Sequence, residues 1–283
     1  MLIKKSNVFG VLLVSLFVFT LSLGNVKADE YENYFGIKIT SNEYNTLLNL
    51  GFSEDEIYYM DETTYNENKN LDASLVSQNE KYYKSIYTNL NGESTFIEVT
   101  KEEYENQSSG NAPRTTIETT YKKMVSTISQ NGTKYRYKNS LTWKNMPSKR
   151  SYDIIGIGFD DDVYINSSVY LTTYYCYSSG DCVTDSSYYN KQKTSTGGSA
   201  VFKLPSDSII SLASTLYYDV SKNNSNTITR LDMYADYAHA TSTITGSNAS
   251  NHYISTSGIE LTSSNVSYYD DIPTAHSVWS GSW

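Results

Sequence analysis

The chain has 283 residues, 39% of them hydrophobic, and 22 Lys/Arg against 31 Asp/Glu give a formal charge of −9. It is long enough to bury a core, and its acidity argues against nucleic acid as a partner. Three scattered histidines, His239, His252 and His276, and two cysteines provide no zinc-ligand spacing.

At the start of the chain, Lys4 and Lys5 precede an apolar run from Val8 to Leu23, and Val26-Lys27-Ala28 places small residues at the −3 and −1 positions. This is the pattern of a secretory signal peptide over residues 1–28, cut after Ala28. The run is short for a spanning helix, and no later stretch is apolar enough for one. The expected location is therefore extracellular, with at most a loose association with a cell surface.

Charge then divides the chain. Residues 29–112 hold 17 Asp/Glu and 5 Lys/Arg, a balance of −12, whereas residues 113–283 hold 14 of each. The turn-rich stretch at 108–113 reads as a linker between an acidic N-terminal region, 29–107, and a second domain, 114–283. The acidic region reads as helical: Ser41 or Asn42 caps a helix carrying Tyr44, Leu47 and Leu48 on one face, and Gly51 ends it. Ser53-Glu54-Asp55-Glu56 opens another helix as a capping box, with Ile57 and Met60 turned inward. The run Leu47 to Ile57 resembles the leucine-glycine-phenylalanine turn of ubiquitin-associated modules, which implies helix-turn-helix geometry here. Between Lys81 and Ile97, aromatic and β-branched residues flank Asn89-Leu90-Asn91-Gly92, a hairpin pattern.

Residues 114–283 are rich in Ser, Thr, Asn and Tyr, a β composition. Gln130-Asn131-Gly132 joins the runs Thr119–Ser129 and Thr133–Lys144 as a hairpin. In the second run Tyr135, Tyr137, Leu141 and Trp143 share one face, and Lys134, Arg136, Lys138 and Lys144 the other. Tyr152–Phe159 is apolar on both faces, as in a central strand, and its Gly156-Ile157-Gly158 reads as close packing rather than a nucleotide turn. Further strands are expected near Val163–Tyr175, Ala200–Leu204, Leu216–Val220 and Thr227–Thr245. The expected fold is mainly β, an antiparallel sandwich preceded by a small acidic helical region.

Cys176 and Cys182 bracket five residues, and in an exported protein they form a disulfide at a loop tip. No catalytic motif is recognisable and no cofactor is implied. Asp160, Asp161 and Asp162 are weak candidates for Ca²⁺, or with Glu260 for the paired carboxylates of a glycan hydrolase.

Residues 114–150 carry nine Lys/Arg and one Glu, +8, so Lys134, Arg136, Lys138 and Lys144 form a basic stripe. Together with the aromatic rings of Trp279 and Trp283, this stripe is the expected contact for a cell-surface glycan, an anionic envelope polymer or a host surface protein. The same stripe can instead receive the acidic region 29–107 within the molecule, in which case about 0.5 M salt should weaken the association of the separated pieces. The layout, with Leu141–Ile157 as its most distinctive string, resembles uncharacterised secreted proteins of Gram-positive bacteria. That resemblance implies an adhesin-like or envelope-associated binding protein. The alternative is a secreted toxin or bacteriocin-like effector whose acidic pro-region is cut near Arg114.

Overall fold

The computed structural model describes residues 30–88, 94–107, 110–111, 117–159, 162–206 and 208–283. The signal segment with Ala28, most of the linker, Arg114, Asp160 and Asp161 lie outside them.

A short ladder of β1 (Tyr31–Glu32) and β2 (Lys38–Ile39) leads into α1 (Ser41–Asn49), α2 (Glu54–Tyr58) and α3 (Glu62–Asn68). Thr40, one residue earlier than expected, caps α1 in a capping box with Glu43, and Gly51 follows the helix at φ +84°. Ser53 and Glu56 form the second box as the sequence suggests. Two strands, β3 (Ala73–Thr88) and β4 (Ser94–Val99), then make the hairpin, followed by α4 (Lys101–Glu105) and β5 (Gly110–Asn111). The acidic region is thus only partly helical.

The remaining elements are β6 (Ile117–Asn131), β7 (Lys134–Trp143), β8 (Asn145–Met146), β9 (Tyr152–Phe159), β10 (Val163–Ile165), β11 (Tyr170–Tyr177), β12 (Cys182–Asp185), β13 (Asn190–Lys193), β14 (Gly197–Lys203), β15 (Ile209–Lys222), β16 (Arg230–Ala240), α5 (Gly246–Ala249), β17 (His252–Ser255), β18 (Gly258–Leu261) and β19 (Tyr269–Ser280). With β3 and β4, most of these strands build two antiparallel sheets, while β17 and β18 form a separate hairpin and β8 pairs with β5 in parallel. The larger runs β12-β11-β15-β7-β6-β3-β4, with β10 also on β15, and the smaller runs β13-β14-β9-β16-β19. β3 pairs with β6 from Ala73↔Asn131 to Thr88↔Ile117, so the larger sheet is continuous across the stretch read as a linker. Shedding residues 29–113 would strip that whole ladder.

Between the sheets lies the main core, with Tyr137, Leu141 and Trp143 meeting Ile155, Ile157, Phe159, Leu231, Met233 and Tyr237. Alternation works as expected on β7 and β16, a mainly β sandwich. Two further layers cover the outer faces. Leu47, Leu50, Phe52, Ile57 and Met60 pack against Tyr217 on the larger sheet. The β17–β18 hairpin and α5 cover the smaller one through Ile244, Ala249, Ile254 and Ile259. That hairpin explains the glycines of β9: a Cβ on Gly158 would stand 2.3 Å from the Ser255 carbonyl oxygen, and one on Gly156 would stand 2.8 Å from Ile259. The Ser/Thr-rich run after Ala240 contains α5 and is no strand.

Candidate functional site

The centre of the basic stripe, Arg136 and Lys138, is not a surface. Lys138 is 1% exposed, and its Nζ lies 2.9 Å from Glu56 Oε2 and 2.9 Å from the Gly51 carbonyl. Arg136 is 4% exposed; its Nε donates to Asp219 at 2.8 Å, its guanidinium faces the Tyr217 ring, and it also bonds Asn68. Burial pushes the Glu56 carboxyl up, but the Lys138 charge and hydrogen bonds from Ser53 and Thr215 hold it below its ordinary range. Lys134 is half-buried, and Lys144 is half-buried with its Nζ 5.4 Å from the centre of the Tyr104 ring. For Arg136 and Lys138 the expectation of an exposed binding stripe is therefore corrected. Their charges meet α2, α3 and Asp219 because an uncompensated Lys or Arg cannot remain under a covering layer.

Trp279 and Trp283 likewise pack on Tyr135, at 5.0 and 4.7 Å between centroids, and Trp283 Nε1 donates to the Thr133 carbonyl. They close the end of the sandwich rather than offering free rings. Glu260 stands exposed on β18, whereas Asp162 precedes β10, where its carbonyl accepts from Asn223; no hydrogen bond joins the two among the described residues. No group of three metal-ligating side chains occurs among the described residues.

Cys176 and Cys182 are bonded and face one another in the β11–β12 register. This hairpin leads to the most distinctive aromatic surface. The loop from β12 to β13 passes from the edge of the larger sheet to the edge of the smaller and carries Tyr188 and Tyr189, 54% and 52% exposed. Together with Tyr152, Asp185, Ser187 and Lys203 they line an open pocket of about 210 Å³.

Each ring in this pocket is held. Tyr189 meets Tyr152 edge-on at 5.5 Å, and its backbone N–H donates to Val201 at 2.7 Å. Gly246, the first residue of α5, lies so close to the Tyr189 ring that a Cβ there would clash at 2.3 Å. Lys191 Nζ sits 4.0 Å from the centre of the Tyr188 ring, a cation–π contact, and burial lowers the Lys191 pKa. Asp185 accepts from the Ser187 N–H, which fixes the loop, and Lys203 lies opposite Tyr152 across the β9–β14 ladder. Such a pocket can stack a ring against tyrosine while a carboxylate and an ammonium bond hydroxyls at its rim. In the sequence only Tyr188-Tyr189 and its neighbour Ser187 stand together, because Tyr152, Asp185 and Lys203 come from three separate strands.

A larger groove, about 320 Å³, opens where α1 and α2 meet the outer face of β3, β6 and β7. Glu54, Glu80, Gln78 and Lys123 give it polar groups, but no tyrosine or tryptophan lines it.

No family model and no curated protein matches the chain. Among solved structures it is similar to the collagen binding domain of the Erysipelothrix rhusiopathiae surface protein RspB, at 7% identity and a TM-score of 0.26. The match covers 57% of this chain and 66% of that one. A likeness this low says nothing of function.

Proposed function

We propose that this is an extracellular binding protein of the bacterial cell envelope that holds a neutral glycan against Tyr188 and Tyr189. The observation that carries the reading is the pair of half-exposed rings, fixed by Tyr152, Gly246 and Lys191 beside Asp185 and Lys203. The rings are immobilised before any ligand arrives, so little conformational entropy opposes stacking. The pocket is smaller than the roughly 300–1,000 Å³ of sites that engulf small molecules, which suits one residue or chain end of a polymer. The signal-peptide pattern supports export, and the disulfide suits an oxidising compartment. With Arg136 and Lys138 buried, an anionic polymer has lost the stripe that recommended it.

Affinity electrophoresis in gels containing purified cell-wall polysaccharides tests the proposal. Tyr188→Ala with Tyr189→Ala should weaken retention about tenfold or more, equivalent to about 1.4 kcal/mol. Lys134→Gln should leave it unchanged. Equal retention of the tyrosine variant and the wild type, or no retention of either in any polysaccharide, would refute the reading.

A further inference from the structure

Two buried ion pairs in this protein differ in how completely they are satisfied. In the Glu56–Lys138 pair both carboxylate oxygens are occupied, Oε1 by the hydroxyls of Ser140 and Thr215 and Oε2 by Lys138 and the Ser53 N–H. The second pair is Lys122 on β6 and Asp270 on β19, both side chains 0% exposed. Lys122 Nζ lies 2.8 Å from Asp270 Oδ2, to which the Tyr87 hydroxyl also donates at 2.7 Å. Asp270 Oδ1 is buried and has no hydrogen-bond partner among the described residues. Leaving half of an ionised carboxylate bare in a core is costly, and converting the pair into an amide removes both charges and turns the bare carboxylate oxygen into a neutral carbonyl.

The surroundings suit that conversion. Lys122 Nζ sits 4.5 Å from the centre of the Trp143 ring, and the hydroxyls of Ser85 and Thr120 are buried beside Tyr87. Directly across the β16–β19 ladder from Asp270 stands His239, whose Nδ1 is 2.8 Å from Asp153 Oδ2. Asp153 in turn is held by the Tyr237 hydroxyl and the Ala240 N–H. Amine and carboxyl group are therefore in contact through Oδ2, shielded from water, with the Tyr87 hydroxyl donating to the oxygen that would leave.

We propose that Lys122 and Asp270 react with each other to form an intramolecular isopeptide bond that ties the larger sheet to the smaller. One proton passes along the 2.8 Å hydrogen bond from the Lys122 ammonium to Asp270 Oδ2, which leaves a neutral amine and a neutral acid. The Nζ lone pair then attacks Asp270 Cγ to form the C–N bond and pushes an electron pair onto Oδ1. The nitrogen gives a second proton to the Oδ2 hydroxyl, to which the Tyr87 O–H donates, the Cγ–Oδ2 bond breaks and water leaves, while Oδ1 becomes the amide carbonyl oxygen. Ammonium and carboxylate thus give one amide and one water, with no oxidant or co-reactant. The bond joins residues 148 positions apart, one on the second strand of the larger sheet's long ladder and one on the last strand of the chain.

Mass spectrometry of the purified secreted chain, with Cys176–Cys182 reduced, tests this independently of any glycan. The intact protein should be lighter than its sequence mass by one water, and a digest should contain one branched peptide that includes both Lys122 and Asp270. Lys122→Arg should show its full sequence mass and two separate peptides. Where that variant fails to fold, the branched wild-type peptide decides alone. A wild-type chain at full mass with the two peptides separate, or a deficit that persists in folded Lys122→Arg, would overturn the proposal.

Discussion

Replacing Lys138 by Met would leave the Glu56 carboxylate facing a partner that can no longer neutralise it. The pair is separated by 2.9 Å, with side chains 1% and 8% exposed. At an effective dielectric near 20 that separation corresponds to about 6 kcal/mol of gross attraction, most of it offset by the desolvation of both groups. What the variant exposes is the uncompensated cost, about 3–5 kcal/mol for a buried charge left without its partner. In a chain of this size each kcal/mol shifts Tm by about 2–4 °C, so the drop should be about 6–20 °C. Adding Glu56→Gln removes the orphaned charge while keeping an acceptor for Ser53 at the start of α2, and should restore most of the loss. Circular dichroism melts and urea titrations of the two variants at neutral pH measure both values. A single variant within about 1 kcal/mol of wild type, or a double variant no better than the single, would refute the account of the basic face as a buried, paired layer.

Gly158→Ala should cost about 1–3 kcal/mol or more in urea denaturation, since the backbone atoms it meets at Ser255 and Gly258 have no side-chain freedom to yield. Breaking the Cys176–Cys182 bond by paired Ser substitutions should lower stability by about 2 kcal/mol, read from the urea midpoint. Burial holds the His252 imidazole below its ordinary pKa of 6.5, although its Nδ1 donates to the Ala249 carbonyl. The unfolded chain then binds the proton first, so stability present above about pH 6.5 declines as pH falls through the folded pKa; His252→Gln should flatten the slope of stability between about pH 7 and 5. Cutting the chain near Arg114 should leave the two pieces together in about 0.5 M salt by size-exclusion chromatography, against the salt sensitivity that charge counting alone suggests, because the β3–β6 ladder and buried pairs are little screened.

Local patterns were legible wherever one neighbour decides conformation. The capping box at Ser53, the left-handed turn at Gly51, the Asn131-Gly132 hairpin and the alternation along β7 follow from interactions within a few residues. β19 was hidden because Asp270 and Asp271 resemble a turn and Pro273 a strand breaker. Only in the sheet is Pro273 placed at an edge strand, beside the register shift between Ala235 and Tyr237. The composition of the acidic segment says nothing of distant partners, yet β3 is held along its length by β6, from Ala73↔Asn131 to Thr88↔Ile117.

The sequence by itself determined the β class, the cysteine bond, the core face of β7 and the excess of positive charge on its other face. Whether that charge meets solvent or acids, and which tyrosines share a pocket, was decided only by the tertiary structure. Charge counts and period-two alternation assign a residue to a face, but a face becomes surface or interior according to what the rest of the chain lays over it. Here the α1–α3 region covered Lys138 and Arg136, and the β12–β13 loop left Tyr188 and Tyr189 in the open.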